Sequence, residues 1–239
     1  MNLISKKKIL VTALGVIALG LHLGMSLWGT DKKGLLISWH PLVMLLAAVT
    51  VIACLAAVLP LRRNAGSDAY GDNFAPSAGA AIGCFALAGG ITVTVVSGFG
   101  TWARMEQISN VLGILTIPAL IAAGLIRFSG KQPRVPVHGL VCLYLMLHTV
   151  SHYQIWSSQP QWLNWLFPMA ASVLLTLFSY QQAAFDVNLG SRRTQQITGL
   201  AAAFFCIGAI ARESSMLYLG GAVWALTNLI PKDDDHAAA

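Results

Sequence analysis

The sequence predicts an all-α integral membrane protein, a bundle of about eight transmembrane helices that forms a single domain over residues 1–239. Three observations lead to this prediction. Hydrophobic residues make up 56% of the chain and charged residues 10%, whereas a soluble domain carries roughly 25% charged residues. Apolar runs follow one another along the chain, and a bilayer core needs roughly 20 apolar residues per helix. Basic residues separate these runs, as is typical of membrane topology.

Charges, prolines and polar clusters divide the chain into the candidate spans. The first follows three lysines without the cleavage site of a secretory signal, so it is predicted to be a retained helix. The spans cover residues 9–28, 35–59, 77–99, 108–128, 137–156, 162–183, 197–211 and 214–230. Because the last two are short for spanning helices, a re-entrant hairpin with Arg212 and Glu213 at its tip is the alternative for this region.

The basic residues predict a multi-pass protein of the cell membrane with both the N- and C-termini in the cytoplasm. Short cytoplasmic loops retain Lys and Arg, and this topology places eleven basic residues inside and four outside. Residues 62–76, 129–136 and 184–196 then face the cytoplasm, while residues 29–34 and 157–161 face outside. The net charge of +6 follows from this asymmetry, so it indicates the lipid bilayer as partner and no nucleic acid.

Two similar patterns suggest an internal repeat of four helices each. The first pairs His22 with Trp39 and is echoed by His148 with Trp165 at the same interval; the second is an Arg-Arg pair at 62–63, echoed at 192–193. The halves would be residues 1–130 and 131–231, followed by a polar tail at 232–239, and they would be related by an axis along the membrane normal. The offset between echoes drifts from 126 to 130 residues, so an unrepeated chain is the alternative.

Helix packing is predicted at two places. Small residues at three- and four-residue spacing in the third span should let another helix approach closely; they are Gly79, Gly83, Ala86 and Gly90. Pro118, midway along the fourth span, should kink its helix or open a local polar spot. The four cysteines each lie alone in an apolar segment and are interpreted as small core residues.

The histidines are the main candidates for a functional site, because an ionisable group inside a bilayer is costly and usually faces the bundle interior. At 1.5 Å per residue, four of them lie about 9, 8, 12 and 6 Å from the outer ends of their spans: His22, His40, His148 and His152. The sequence therefore predicts that these four converge on one outer-leaflet cavity. His138 lies near the inner end of its span.

The first functional hypothesis is a membrane electron carrier that holds one haem b in the outer leaflet. His148 and His152 are four residues apart and share one helix face with Tyr144. Two imidazoles from different helices would ligate the iron, either His22 with His148 through the repeat axis or His40 with His152. Such a carrier would exchange electrons with a quinol or a surface redox partner.

Two short patterns resemble haem-binding proteins. The interval of fourteen residues between His138 and His152 resembles the two-haem spacing of membrane cytochromes b. The segment Trp39-His40-Pro41-Leu42-Val43-Met44 resembles the His-Pro-x-x-Met start of a haem-binding helix in the ascorbate-reducible membrane cytochromes b, which implies a ligand role for His40. The likeness covers six residues, and the next two spans lack that family's histidines, so it identifies a local motif and no family.

The second hypothesis is a zinc-dependent intramembrane hydrolase in which His40, His148 and His152 hold the metal and a water molecule takes the fourth position. This pattern is similar to the arrangement in membrane-embedded ceramidase and adiponectin-receptor relatives. The resemblance implies an accompanying buried Ser and Asp, for which Ser38 and Asp31 are the weak candidates in this chain.

The third hypothesis is a cofactor-free transporter, channel-like protein or membrane assembly subunit, in which the histidines only anchor the helices or tune a cavity. Acidic residues are nearly absent from the spans, which argues against a carboxylate-based proton relay. Asp186 is interpreted as part of an inner helix terminus. The chain carries no phosphate-binding loop, nucleophile elbow or dinucleotide fingerprint, so sequence motifs do not decide between the three.

Overall fold

The computed structural model describes residues 3–29, 40–59, 69–100, 104–133, 137–156, 162–211 and 214–229. Every regular element in these ranges is an α-helix, which confirms the predicted all-helical fold. The helices are α1 (Leu3–Trp28), α2 (Pro41–Val58), α3 (Tyr70–Asn73), α4 (Ala78–Ser97), α5 (Arg104–Ser129), α6 (Val137–Trp156), α7 (Trp162–Asp186), α8 (Arg192–Ala209) and α9 (Ser215–Thr227).

Four of the described helices, α1, α2, α4 and α5, are by length and composition apolar enough to cross a membrane, and α9 is apolar but shorter. These helices support a helical membrane protein. Each predicted span overlaps one long helix, and the fifth matches α6 from end to end. The count of eight spans nevertheless remains a prediction. The placement of Arg212 and Glu213 at a hairpin tip also remains a prediction, because both lie outside the described residues.

Local sequence explains how several helices begin. Pro41 occupies the first turn of α2, where its missing N–H costs nothing, and the backbone N–H of Leu42 donates to His40 Nδ1 at 3.3 Å. The Ser77 hydroxyl caps α4 by accepting from the backbone N–H of Ala80 at 3.2 Å. Helix α5 continues through Pro118, where the sequence predicts a kink or a polar spot.

Six helices close into a ring in which each packs on its neighbours: α4 on α5, then α6, α7, α8 and α9, which returns to α4. The α1–α2 hairpin lies outside this ring, where α1 packs along α8. The start of α1 meets the end of α2, because the Lys7 ammonium donates to the Leu59 carbonyl. The ring draws two helices from residues 1–130 and four from residues 131–231, so the predicted four-plus-four repeat is not confirmed.

The predicted close helix approach occurs between α4 and α9. A Cβ atom at Gly83 would lie 3.0 Å from Trp224 Cα, and one at Gly90 would lie 2.9 Å from Leu217 Cα. From the other side, a Cβ at Gly220 would lie 2.5 Å from the Ala86 carbonyl oxygen. Both helices therefore need glycine at this seam, where their backbones are in contact.

Helices α6 to α8 are less apolar than the N-terminal ones because they carry polar side chains, and these side chains face inward. Buried polar residues on the three helices include His138, His148, Ser172, Ser179, Gln182, Asp186, Gln195 and Gln196. Helix α8 is the most enclosed, since it packs against α1, α7 and α9. The described part of α8 exposes no large apolar side chain, whereas the other long helices do, as helices facing lipid would.

Candidate functional site

Polar side chains gather at the two opposite ends of the bundle. The inner polar cluster, named after the predicted topology, lies where α5, α7 and α9 end and α6 and α8 begin; it consists of Arg127, His138, Gln182, Asp186, Gln195 and Asn228. The outer histidine group lies toward the other end and consists of the four histidines that the sequence selects. The two sets differ in how their polar atoms are satisfied.

A buried ion pair joins α6 to α7 in the inner polar cluster. His138 is the second residue of α6, and its Nδ1 lies 2.9 Å from the Oδ2 atom of Asp186, the last residue of α7. The same Oδ2 accepts the backbone N–H of His138 at 3.3 Å. The two side chains are 3% and 0% exposed. Each charge is held by the other, since an isolated charge at this depth would neutralise instead.

The ion pair leaves polar capacity unused. Around this pair, three buried atoms lack a hydrogen-bond partner among the described residues: His138 Nε2, Asp186 Oδ1 and Trp224 Nε1. The Trp224 ring lies nearly parallel to the imidazole, with ring centroids 6.3 Å apart, and the Cys84 thiol of α4 lies beside the same imidazole. Buried polar atoms are normally bonded, so these three atoms are exceptions within the bundle.

Asn228 connects the rest of the inner polar cluster. Its Oδ1 accepts from Arg127 Nε at 3.2 Å, and its Nδ2 donates to the Ala80 carbonyl at 3.1 Å. Its backbone oxygen accepts from the side-chain amides of Gln182 at 3.3 Å and Gln195 at 2.8 Å. One residue just beyond α9 therefore ties together α4, α5, α7 and α8.

The short helix α3 covers this end. The Arg127 guanidinium lies 4.1 Å from the ring centre of Phe74, and the Phe74 ring packs edge-on against Phe185 at 5.2 Å. The backbone N–H of Tyr70 donates to Asn188 Oδ1 at 2.8 Å. Burial raises the pKa of the Tyr70 phenol, while the charge of Arg127 and a hydrogen bond to it act in the opposite direction. The segment around α3 thus shields the cluster from solvent.

In the outer histidine group, the shared helix face of His148 and His152 is confirmed. Their ring centroids lie 4.0 Å apart, and Tyr144 stacks on His148 at 5.8 Å. The Nδ1 atom of His152 lies 3.1 Å from the His148 carbonyl oxygen. His148 is buried, and its Nε2 has no hydrogen-bond partner among the described residues.

The other two histidines have partners of their own. His22 is buried against α8 and α7, with Nδ1 3.0 Å from the Gly208 carbonyl oxygen and its ring edge-on to Phe167 at 4.4 Å. His40 caps α2. Helix α1 packs against α2 and α8, whereas α6 packs against α5 and α7. The structure thus joins His148 to His152, and the convergence of all four histidines stays a prediction.

The haem b and zinc hypotheses receive no support from this geometry. Over the described ranges, no group of three or more His, Cys, Asp or Glu side chains lies in a position to hold a metal ion, and this includes His40, His148 and His152. Trp39, Ser38 and Asp31, which entered those hypotheses, lie outside the described residues.

The inner polar cluster is what the sequence interpretation missed. Asp186 does end a helix, as predicted, but it also forms the buried ion pair with His138. One pattern could have revealed it: Gln182 and Asp186 are four residues apart and share a face of α7, as His148 and His152 do on α6. Comparisons with protein-family models, curated proteins and solved structures found no match to this chain.

Proposed function

We propose that the chain is a multi-pass transporter of the cell membrane that works without a resident haem or metal ion, with the inner polar cluster as its proton-linked gate. The observation that carries this proposal is the buried His138–Asp186 ion pair. Ionisable groups enclosed in a membrane helix bundle are costly, and they commonly mark ion pathways and proton relays.

The pair is suited to respond to protons. A proton added to Asp186, or one lost from His138, removes one of two opposite charges and with it most of the attraction between the end of α7 and the start of α6. The unpartnered Asp186 Oδ1 offers a position for that proton. Because α3 shields the cluster, opening this end would admit water and solute together.

The proposed topology has eight spans with both termini in the cytoplasm. In support, the start of α8 and the end of α9 meet at the inner polar cluster, while Gly208 near the end of α8 lies beside His22, far along α1. Helix α8 therefore runs alongside α1 instead of turning back, which favours crossing over a re-entrant hairpin. Its 18 residues extend about 27 Å, close to a bilayer core.

The test is proton-coupled uptake into proteoliposomes. Purified protein is reconstituted with a pH-sensitive dye inside, a pH gradient is imposed, and pools of small polar solutes are added. We expect one pool to accelerate proton entry in the wild type, and Asp186→Asn and His138→Gln to reduce that acceleration at least about tenfold. His40→Gln, at the opposite end, is the matched control and should retain it. Unchanged coupling in Asp186→Asn would contradict the proposal.

The same purified sample separates this proposal from the two cofactor hypotheses. Absorption spectra and elemental analysis measure bound haem and metal. The outcome against the transporter proposal is stoichiometric haem b or zinc that is lost in His148→Ala and retained in His138→Ala. Bound haem b would indicate an electron carrier, and bound zinc a hydrolase.

A further inference from the structure

Two cavities flank the first three turns of α5 on the surface of the bundle. One, of about 460 Å³, lies between the end of α4 and α5; the other, of about 380 Å³, lies between α5 and α6. Both volumes are typical of small-molecule sites. The cavities adjoin, because Gln107 and Val111 line both of them.

The two cavities differ in polarity. Two amide-bearing residues, Gln107 and Asn110, line the first together with the turn at Gly98–Gly100. Asn110 is held in place because its Nδ2 donates to the Gly98 carbonyl at 3.1 Å. Apart from Gln107, the second is lined by apolar side chains: Ile108, Val111, Leu112, Leu115, Leu143 and Leu147. Leu115 lies eight residues beyond Gln107, about 12 Å along the helix.

We expect this groove to face lipid. Helices α4 and α5 are both candidate membrane spans, and Val111 and Leu115 are 61% and 55% exposed. Gln107 immediately precedes the predicted fourth span, so the polar end lies at the membrane boundary and the apolar end inside the hydrocarbon. A molecule with a polar head and one apolar tail matches this gradient.

The head must be uncharged, because none of the residues that line either cavity is Lys, Arg, Asp or Glu. A lipid phosphate would find no cation among these lining residues. Two amides three residues apart on α5 instead suit a head that carries more than one carbonyl acceptor. We propose that this groove binds an isoprenoid quinone, with its carbonyl head between Gln107 and Asn110 and its tail along the α5–α6 side.

This site is independent of the proton-linked gate, which lies at the other end of the bundle. Its test is binding of a decyl-substituted benzoquinone to the full chain in nanodiscs. We expect saturable binding of one quinone per chain.

Val111→Trp, which fills the groove from an exposed position, should weaken binding at least about tenfold. The double variant Gln107→Leu with Asn110→Leu should weaken it to a similar extent. Val93→Trp, on an exposed face of α4 away from both cavities, should leave it unchanged.

A photoreactive azidoquinone gives a second measurement that needs no variant. We expect its label on peptides from residues 104–129, with competition by the unlabelled quinone. Non-saturable partitioning, unchanged affinity in Val111→Trp, or equal competition by phosphatidylglycerol would overturn the proposal.

Discussion

The two ends of the bundle bury polar side chains in different ways. At the inner end, two charged side chains are held by other side chains: the Asp186 carboxylate holds His138, and the Asn228 side chain holds Arg127. At the outer end, His22 and His152 bond to backbone carbonyls, and His148 packs against rings. Loss of the Asp186 or Asn228 side chain leaves a charged group without its partner, whereas loss of an outer histidine leaves a carbonyl or an aromatic surface without a contact. The inner end should therefore tolerate substitution far less.

Asp186→Ala should have the largest effect on stability. It leaves the His138 imidazole and its backbone N–H without their acceptor in a buried site, and breaking a buried pair in this way costs about 3–5 kcal/mol. Thermal unfolding in detergent, followed by the loss of monodisperse protein, measures the change. Asp186→Asn keeps an acceptor of the same size and should lose less. Equal stability of Asp186→Ala and the wild type would show that the ion pair contributes nothing to this end.

Asn228→Ala should have the next largest effect. It removes the acceptor of Arg127 and the donor to the Ala80 carbonyl, while the backbone oxygen that receives Gln182 and Gln195 remains. We expect a loss of about 1–3 kcal/mol, the range for buried groups left unsatisfied. Ser97→Ala, on an exposed residue of α4, is the control in the same unfolding assay and should change little. A loss no larger than that of the control would contradict the role given to Asn228.

His148→Phe should change the free energy of unfolding very little, whereas His138→Phe should lower it clearly. The two variants therefore compare the two ends directly. His148 is buried, its Nε2 has no hydrogen-bond partner in the described ranges, and an apolar ring of similar shape keeps the contact with Tyr144. In His138→Phe the Asp186 carboxylate loses its counter-ion, so that variant should unfold at a clearly lower temperature. Similar losses in both variants would remove the distinction between the two ends.

The part of this fold that the sequence predicts well is local. Helical periodicity correctly placed His148 and His152 on one face, and the spacing of Gly83 and Gly90 correctly indicated a close helix contact, because both depend only on residues within a few turns. The partner of that glycine seam, α9, was not predictable from the spacing.

Long-range pairing is what the sequence left open. Asp186 meets His138 across 48 residues, and Asn228 meets Arg127 across 101. These contacts depend on how each helix is rotated about its axis, which hydropathy does not specify. The same limit applies to His22, whose depth was inferred from helical rise but whose neighbours, Gly208 and Phe167, follow from the packing of α1 on α8.

The cysteine substitutions used for topology labelling should leave stability unchanged. They test which end of the bundle faces the cytoplasm. On a background with the four native cysteines replaced, we expect Leu189→Cys to react with a membrane-impermeant maleimide only from the cytoplasmic side and Gln159→Cys only from outside. Leu189 is 78% exposed beyond the end of α7, so access does not limit the reaction. Reaction of position 159 from the cytoplasm alone would invert the assignment of inner and outer ends.

The bond between Arg127 and Asn228 also sets a condition on biogenesis. The ribosome releases Arg127 long before the residue that will accept its hydrogen bond, and the α4–α9 seam cannot close until the last helix has been synthesised. During that interval the early helices carry a guanidinium without this acceptor and an open glycine-lined groove. The α4–α9 seam can therefore form only after synthesis of α9, and we expect a chain truncated before α9 to leave the glycine-lined face of α4 uncovered.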